Sequence, residues 1–65
     1  MKLIINGDEK EISGNTLEEI VKHYDLEMHL VVIELEGEII ESKNWSNTKL
    51  APGMRIELVH FVGGG

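Results

Sequence analysis

Short segments in which apolar and polar residues alternate run through most of the chain, and this period of two predicts β-strands. The predicted strands span residues 2–6, 10–13, 31–35, 38–41 and 54–62. Turn signals separate them: Gly7-Asp8 lies between the first two strands, Glu36-Gly37 between the next two, and Pro52-Gly53 before the last. The first four strands therefore pair as two hairpins, and residues 42–49 form an irregular connection that contains Trp45.

One segment has the period of a helix. Its apolar residues fall at i, i+3, i+4 and i+7, which places them on a single face: Leu17, Ile20, Val21 and Tyr24. Thr16 followed by Glu19 matches a capping box, with Asn15 as an alternative cap. The helix therefore begins after Thr16, and its apolar face is expected to pack on the sheet.

The order of these elements is ββαββ, then a loop, then β. One helix across a mixed sheet, with the last strand beside the first, closes a core of the size that 65 residues allow. This is an α+β fold of the β-grasp, ubiquitin-like type. We expect one domain over residues 1–62.

The last strand predicts a contact surface. Met54, Ile56 and Leu58 share the face assigned to the core. The opposite face carries Arg55 and Glu57 and then Val59 and Phe61, so two large apolar side chains are expected in solvent. Exposed apolar clusters often mark binding sites, and the outward positions Val32 and Ile4 are expected to extend this one.

The chain ends on Gly63, Gly64 and Gly65, directly after this apolar strand. Glycine has no Cβ, so such a tail fits a narrow slot and presents its carboxylate to a partner. We expect residues 63–65 to be a flexible, reactive tail. A frayed terminus or an engineered linker is the alternative.

Composition narrows the function. The chain holds 12 acidic and 6 basic residues for a net charge of -6, which disfavours nucleic-acid binding. It has no cysteine, and no segment is typical of a signal peptide or a membrane span, so a cytoplasmic protein is expected. His23, His29 and His60 lack metal-ligand spacing. No metal site and no catalytic apparatus are predicted.

Over essentially its whole length the sequence resembles the ThiS family of sulfur carriers in thiamine biosynthesis. The resemblance runs from Ile5-Asn6-Gly7 through the helix and both hairpins to Trp45. Its most specific part is the ending His60-Phe61-Val62-Gly63-Gly64-Gly65. Two departures are Glu36, where the family often has Asn, and Glu41-Ser42, where it often has Pro and Arg.

The resemblance implies that the protein is a substrate of partner enzymes and not itself an enzyme. The Gly65 carboxylate would be adenylated by an ATP-dependent, ThiF-like activating enzyme and then converted to a thiocarboxylate by a sulfur donor. A ThiG-like thiazole synthase would receive the sulfur. Gly63, Gly64, Val59 and Phe61 would contact these partners. No cofactor is expected to be bound, because ATP is used by the activating enzyme, and the free carrier is expected to be a monomer.

Two alternatives stay open from the sequence. The small subunit of molybdopterin synthase has the same fold and a di-glycine end, with the same chemistry and a different destination for the sulfur. A β-grasp interaction module, or a modifier joined to lysines through Gly65, needs no sulfur at all.

Overall fold

The protein is described by a computed structural model over residues 1–61, which fold into five strands and one α-helix. In chain order these are β1 (Lys2–Ile5), β2 (Asp8–Glu11), α1 (Leu17–His23), β3 (Val31–Leu35), β4 (Glu38–Ile40) and β5 (Arg55–His60). Short 3-10 turns at Met28–Leu30 and Ser42–Asn44 lie before β3 and after β4.

The strands make one sheet in the order β2-β1-β5-β3-β4. β5 lies at its centre, parallel to β1 and antiparallel to β3, and the two hairpins flank it. The predicted order of elements and the placement of the last strand beside the first are confirmed.

Both hairpins use two-residue turns in which φ is positive at both positions. Asn6 and Gly7 have φ of 51° and 84°, and Glu36 and Gly37 have φ of 50° and 87°. The first turn was predicted one residue too late, at Gly7-Asp8. Asn-Gly is the pair that such turns favour, so Asp8 already pairs with Ile5 and β2 begins two residues before the predicted start.

Helix α1 begins as its capping box predicts. The Thr16 hydroxyl accepts a hydrogen bond from the Glu19 backbone N–H at 3.4 Å, and the Glu19 carboxylate accepts one from the Asn15 N–H at 3.3 Å. Leu17, Ile20 and Val21 are buried, so the predicted apolar face is the one that packs on the sheet.

The core lies between α1 and one face of the sheet, and it is closed by the loop after β4. Trp45, on that loop, is 1% exposed, and its indole N–H donates to the Ile40 carbonyl at 2.9 Å. The buried apolar residues are Leu3, Ile5, Ile12, Leu17, Ile20, Val21, Val31, Ile33, Leu35, Trp45, Leu50 and Ile56. Trp45 is therefore a core anchor for an otherwise irregular segment.

Two predictions extend beyond the described residues. The last strand was expected over 54–62 and is observed over Arg55–His60, with Val62 outside the described range. The boundary between a domain at 1–62 and a tail at 63–65 also lies outside it. Within residues 1–61, no helix is long and apolar enough to cross a membrane.

Candidate partner-binding face at the end of the last strand

The face of the sheet opposite α1, here called the outer face, carries the predicted contact residues. Along β5, Ile56 is fully buried, whereas Arg55 and Glu57 point to solvent. Val59 and Phe61 continue the solvent side and are 49% and 55% exposed. The predicted assignment of the two faces is confirmed.

An apolar patch forms where β5 ends, and it consists of Val32, Val59 and Phe61. Val32 lies directly opposite Val59 in the antiparallel pairing of β3 with β5, and it is 37% exposed. The Phe61 backbone N–H donates to the Leu30 carbonyl at 2.8 Å. The pairing with the β3 side therefore continues one residue past the end of β5, which fixes the backbone that carries the Phe61 ring.

Ile4 does not join this patch. It lies on the outer face, but its register partner on β5 is Arg55, four residues before Val59. At about 3.3 Å per residue, that separation is roughly 13 Å along the strand. The expectation that Ile4 extends the patch is wrong, because a parallel β1 reaches only the beginning of β5.

The patch lies close to the predicted reactive end. Gly63, Gly64 and Gly65 are outside the described residues, and Gly65 is four residues beyond Phe61 in the sequence. Four residues span at most about 14 Å when fully extended. A partner that takes up the Gly65 carboxylate in its active site must therefore come within that distance of Phe61.

Four glutamates lie on the outer face, and they fall into two kinds. Glu9 and Glu11 have cationic neighbours: Lys2 Nζ is 3.9 Å from Glu9, and the Met1 ammonium is 2.9 Å from Glu11. The hydrogen bond from that ammonium holds the pKa of Glu11 below its ordinary value. Glu34 and Glu57 instead face each other across β3 and β5, and within residues 1–61 neither forms an ion pair.

One side chain that holds β5 was not anticipated from the sequence. The Asn6 amide accepts a hydrogen bond from the Leu58 N–H at 2.8 Å and donates one to the Leu58 carbonyl at 3.3 Å. The Asn-Gly pair was a signal for a turn. The Asn6 side chain reaches Leu58, 52 positions later, because β1 pairs in parallel with β5. No local sequence pattern reveals that pairing.

Among residues 1–61 no group of three or more His, Cys, Asp or Glu is placed to hold a metal ion. The exposed apolar patch of Val32, Val59 and Phe61 is the candidate site on the outer face.

Comparison with known proteins agrees with this geometry. The sequence profile of the ThiS family matches residues 3–65. The sulfur carrier protein ThiS of Bacillus subtilis is 38% identical over 66 residues, which cover 97% of this chain and 98% of that protein. This chain belongs to the ThiS family.

A solved structure supports the same assignment of fold. The crystal structure of the thiamine biosynthesis protein ThiS from Geobacter metallireducens superposes with a TM-score of 0.83 at 28% identity, and each chain is covered completely. The predicted β-grasp fold is confirmed. The match to the ThiS family and the similarity to the sulfur carrier protein of Bacillus subtilis also confirm the expectation of a small sulfur carrier protein and not an enzyme.

One relative is much longer than this ThiS-family chain. A thiazole synthase of Paramagnetospirillum magneticum is 32% identical over 66 residues, which cover all of this chain but only 20% of that protein. This chain thus spans about a fifth of that relative, and a ThiS-like segment is part of a protein named for thiazole synthesis.

Proposed function

We propose that this ThiS-family protein carries sulfur for thiazole formation in thiamine biosynthesis as a thiocarboxylate on Gly65. The observation that carries the proposal is the apolar patch at the end of β5: Val59 and Phe61 are exposed within a few residues of a glycine tail. Such a patch suits a partner that binds the domain and takes the tail into its active site.

The chemistry begins with activation of a poor electrophile. The Gly65 carboxylate attacks the α-phosphate of ATP on the activating enzyme, which releases pyrophosphate and leaves an acyl-adenylate. Sulfur delivered at the oxidation level of hydrosulfide then attacks the acyl carbon and displaces AMP. The new C–S bond replaces the C–O bond to AMP and a proton is released, so no oxidant or reductant is needed. Because the chain contains no cysteine, its terminal carboxyl is the group that would hold the sulfur.

Thiazole synthase is the proposed acceptor of that sulfur. The presence of a ThiS-like segment within the thiazole synthase of Paramagnetospirillum magneticum supports it, since carrier and acceptor in one chain meet at high effective concentration. The names of the similar proteins favour thiamine biosynthesis over molybdopterin synthesis.

Intact mass spectrometry of the protein from thiamine-starved cells tests this function. We expect a fraction of the protein with one oxygen replaced by sulfur, and fragmentation should localise the change to Gly65. Cells that lack the activating enzyme provide the control and should contain only the carboxylate form. An unmodified mass in starved cells with active enzyme, or sulfur at another residue, would contradict the proposal.

A further inference from the structure

The two strands that flank β5, β1 and β3, pair with it over different lengths. On the β3 side the pairing runs as far as Phe61, whose N–H donates to Leu30. On the β1 side, the last backbone hydrogen bond within residues 1–61 joins the Asn6 N–H to the Ile56 carbonyl at 2.9 Å. The β1 chain then turns away at Asn6-Gly7, and no described residue beyond Ile56 forms a backbone hydrogen bond with it.

Because β1 ends there, the backbone N–H and C=O of Leu58 have no strand backbone opposite them on the β1 side. Successive residues of a strand direct their N–H and C=O groups to opposite neighbours, and the Phe61 N–H is directed toward β3. The Leu58 groups therefore point to the β1 side. On that side the Asn6 side-chain amide accepts a hydrogen bond from the Leu58 N–H at 2.8 Å and donates one to the Leu58 carbonyl at 3.3 Å. The side chain thus forms the hydrogen bonds that the backbone of a longer β1 would form.

The conformation of Asn6 makes this possible. Its φ of 51° is left-handed, a region that asparagine tolerates better than most residues. The Asn6 side chain therefore continues in the direction of β1, whereas the Asn6 backbone turns away from β5. Within residues 1–61, Asn6 thereby supplies the last hydrogen bonds that β5 receives on its β1 side, whereas the β3 side continues to Phe61.

We propose that Asn6 is a positioning residue: its side-chain amide clamps Leu58 and so sets the direction in which the chain leaves the domain toward Gly65. This inference rests on the proposed function, because the direction matters only if a partner acts on the tail. The patch would decide how tightly the partner binds. The clamp would decide how often the bound carboxylate is aligned with ATP.

The chain contains a matched control at the other end of the same strand. Glu36 has nearly the same φ, 50°, and is likewise followed by glycine in a two-residue turn. Its carboxylate accepts a hydrogen bond from the Arg55 backbone N–H. Asn6→Gly and Glu36→Gly each remove a side chain that holds β5, and both keep a residue that adopts positive φ without strain. Only Asn6 is near the tail.

The test combines hydrogen exchange on the free protein with steady-state adenylation by the activating enzyme. In Asn6→Gly the Leu58 amide should lose its protection, and kcat for ATP–pyrophosphate exchange should fall about tenfold with KM little changed. A displacement of about 1 Å at reacting atoms can cost on the order of a hundredfold, so this is a modest expectation. Glu36→Gly should retain Leu58 protection and wild-type kcat.

Each other outcome has a definite meaning. Wild-type kcat in Asn6→Gly, or an equal loss in Glu36→Gly, would overturn the positioning role, since the effect would then be absent or a general loosening of the strand. An unprotected Leu58 amide in the wild-type protein would overturn the clamp itself. Failure of the wild-type protein to be adenylated would instead contradict the proposed function, and this inference would fall with it.

Discussion

At the scale of single residues, Phe61 is the largest side chain of the exposed patch. The Phe61 backbone is held by the hydrogen bond to Leu30, yet its side chain is 55% exposed. Ile56, on the same strand, is fully buried. Covering this exposed apolar area with a partner would remove it from water, which is favourable.

Phe61→Ala should therefore weaken binding to partners while leaving stability nearly unchanged. Burying a large apolar side chain contributes about 1.5–3 kcal/mol, and about 1.4 kcal/mol corresponds to a factor of ten in affinity. We expect Kd for the activating enzyme and for thiazole synthase to rise about tenfold or more. Titration calorimetry of the complexes, together with chemical denaturation of the free protein, measures both quantities.

Ile39→Ala is the control for this substitution. Ile39 is also apolar, is 69% exposed and lies on the same outer face, but it is on the edge strand β4, opposite Glu34 and outside the patch. Its truncation should leave partner binding unchanged. If Phe61→Ala instead lowers the free energy of unfolding by about 3–5 kcal/mol, as truncation of a core aromatic residue does, then Phe61 packs in the core and the patch does not exist.

At the scale of elements, the pairing of β3 with β5 places Glu34 directly opposite Glu57. Like charges at opposite positions of an antiparallel pair destabilise it. The pairing of β3 with β5 thus places two like charges opposite each other beside Val32 and Val59, on the face that is not used to build the core.

Glu57→Gln should consequently stabilise the free protein, by about 0.2–1 kcal/mol. The gain should shrink at high salt, because exposed charges are then screened. Urea denaturation at low and high ionic strength measures it. Glu38→Gln removes the same charge from a position opposite the apolar Leu35, and an equal gain in that variant would show that net charge, and not the facing pair, is responsible.

The elements also show what the sequence can and cannot predict. The alternation of residues 54–61 predicted both faces of β5, because each side chain's direction follows from strand geometry alone. The first turn was placed one residue late because Gly7-Asp8 and Asn6-Gly7 are both turn signals, and only the pairing of Ile5 with Asp8 decides between them. The clamp of Asn6 on Leu58 depends on a contact between distant segments and was not predicted.

At the scale of the whole molecule, residues 1–61 form one β-grasp unit, and the described chain ends at Phe61 in the exposed apolar patch. The helix and the inner side of the sheet build the core, so the outer face is left for contact, and the chain leaves the sheet beside the apolar end of that face. The order of elements predicted this arrangement, because the last strand was expected beside the first. The adenylation and sulfur chemistry at Gly65 came from the family resemblance, because the glycine tail alone indicates only a carboxylate that is presented to a partner.

Removal of Gly65 tests the central claim most directly. A chain that ends at Gly64 should melt at the same temperature as the full chain, because glycine has no side chain to add to the core. It should nevertheless give no ATP–pyrophosphate exchange with the activating enzyme, since the carboxylate is then one residue short of the α-phosphate. Exchange at the rate of the full-length protein would contradict the assignment of Gly65 as the site of activation.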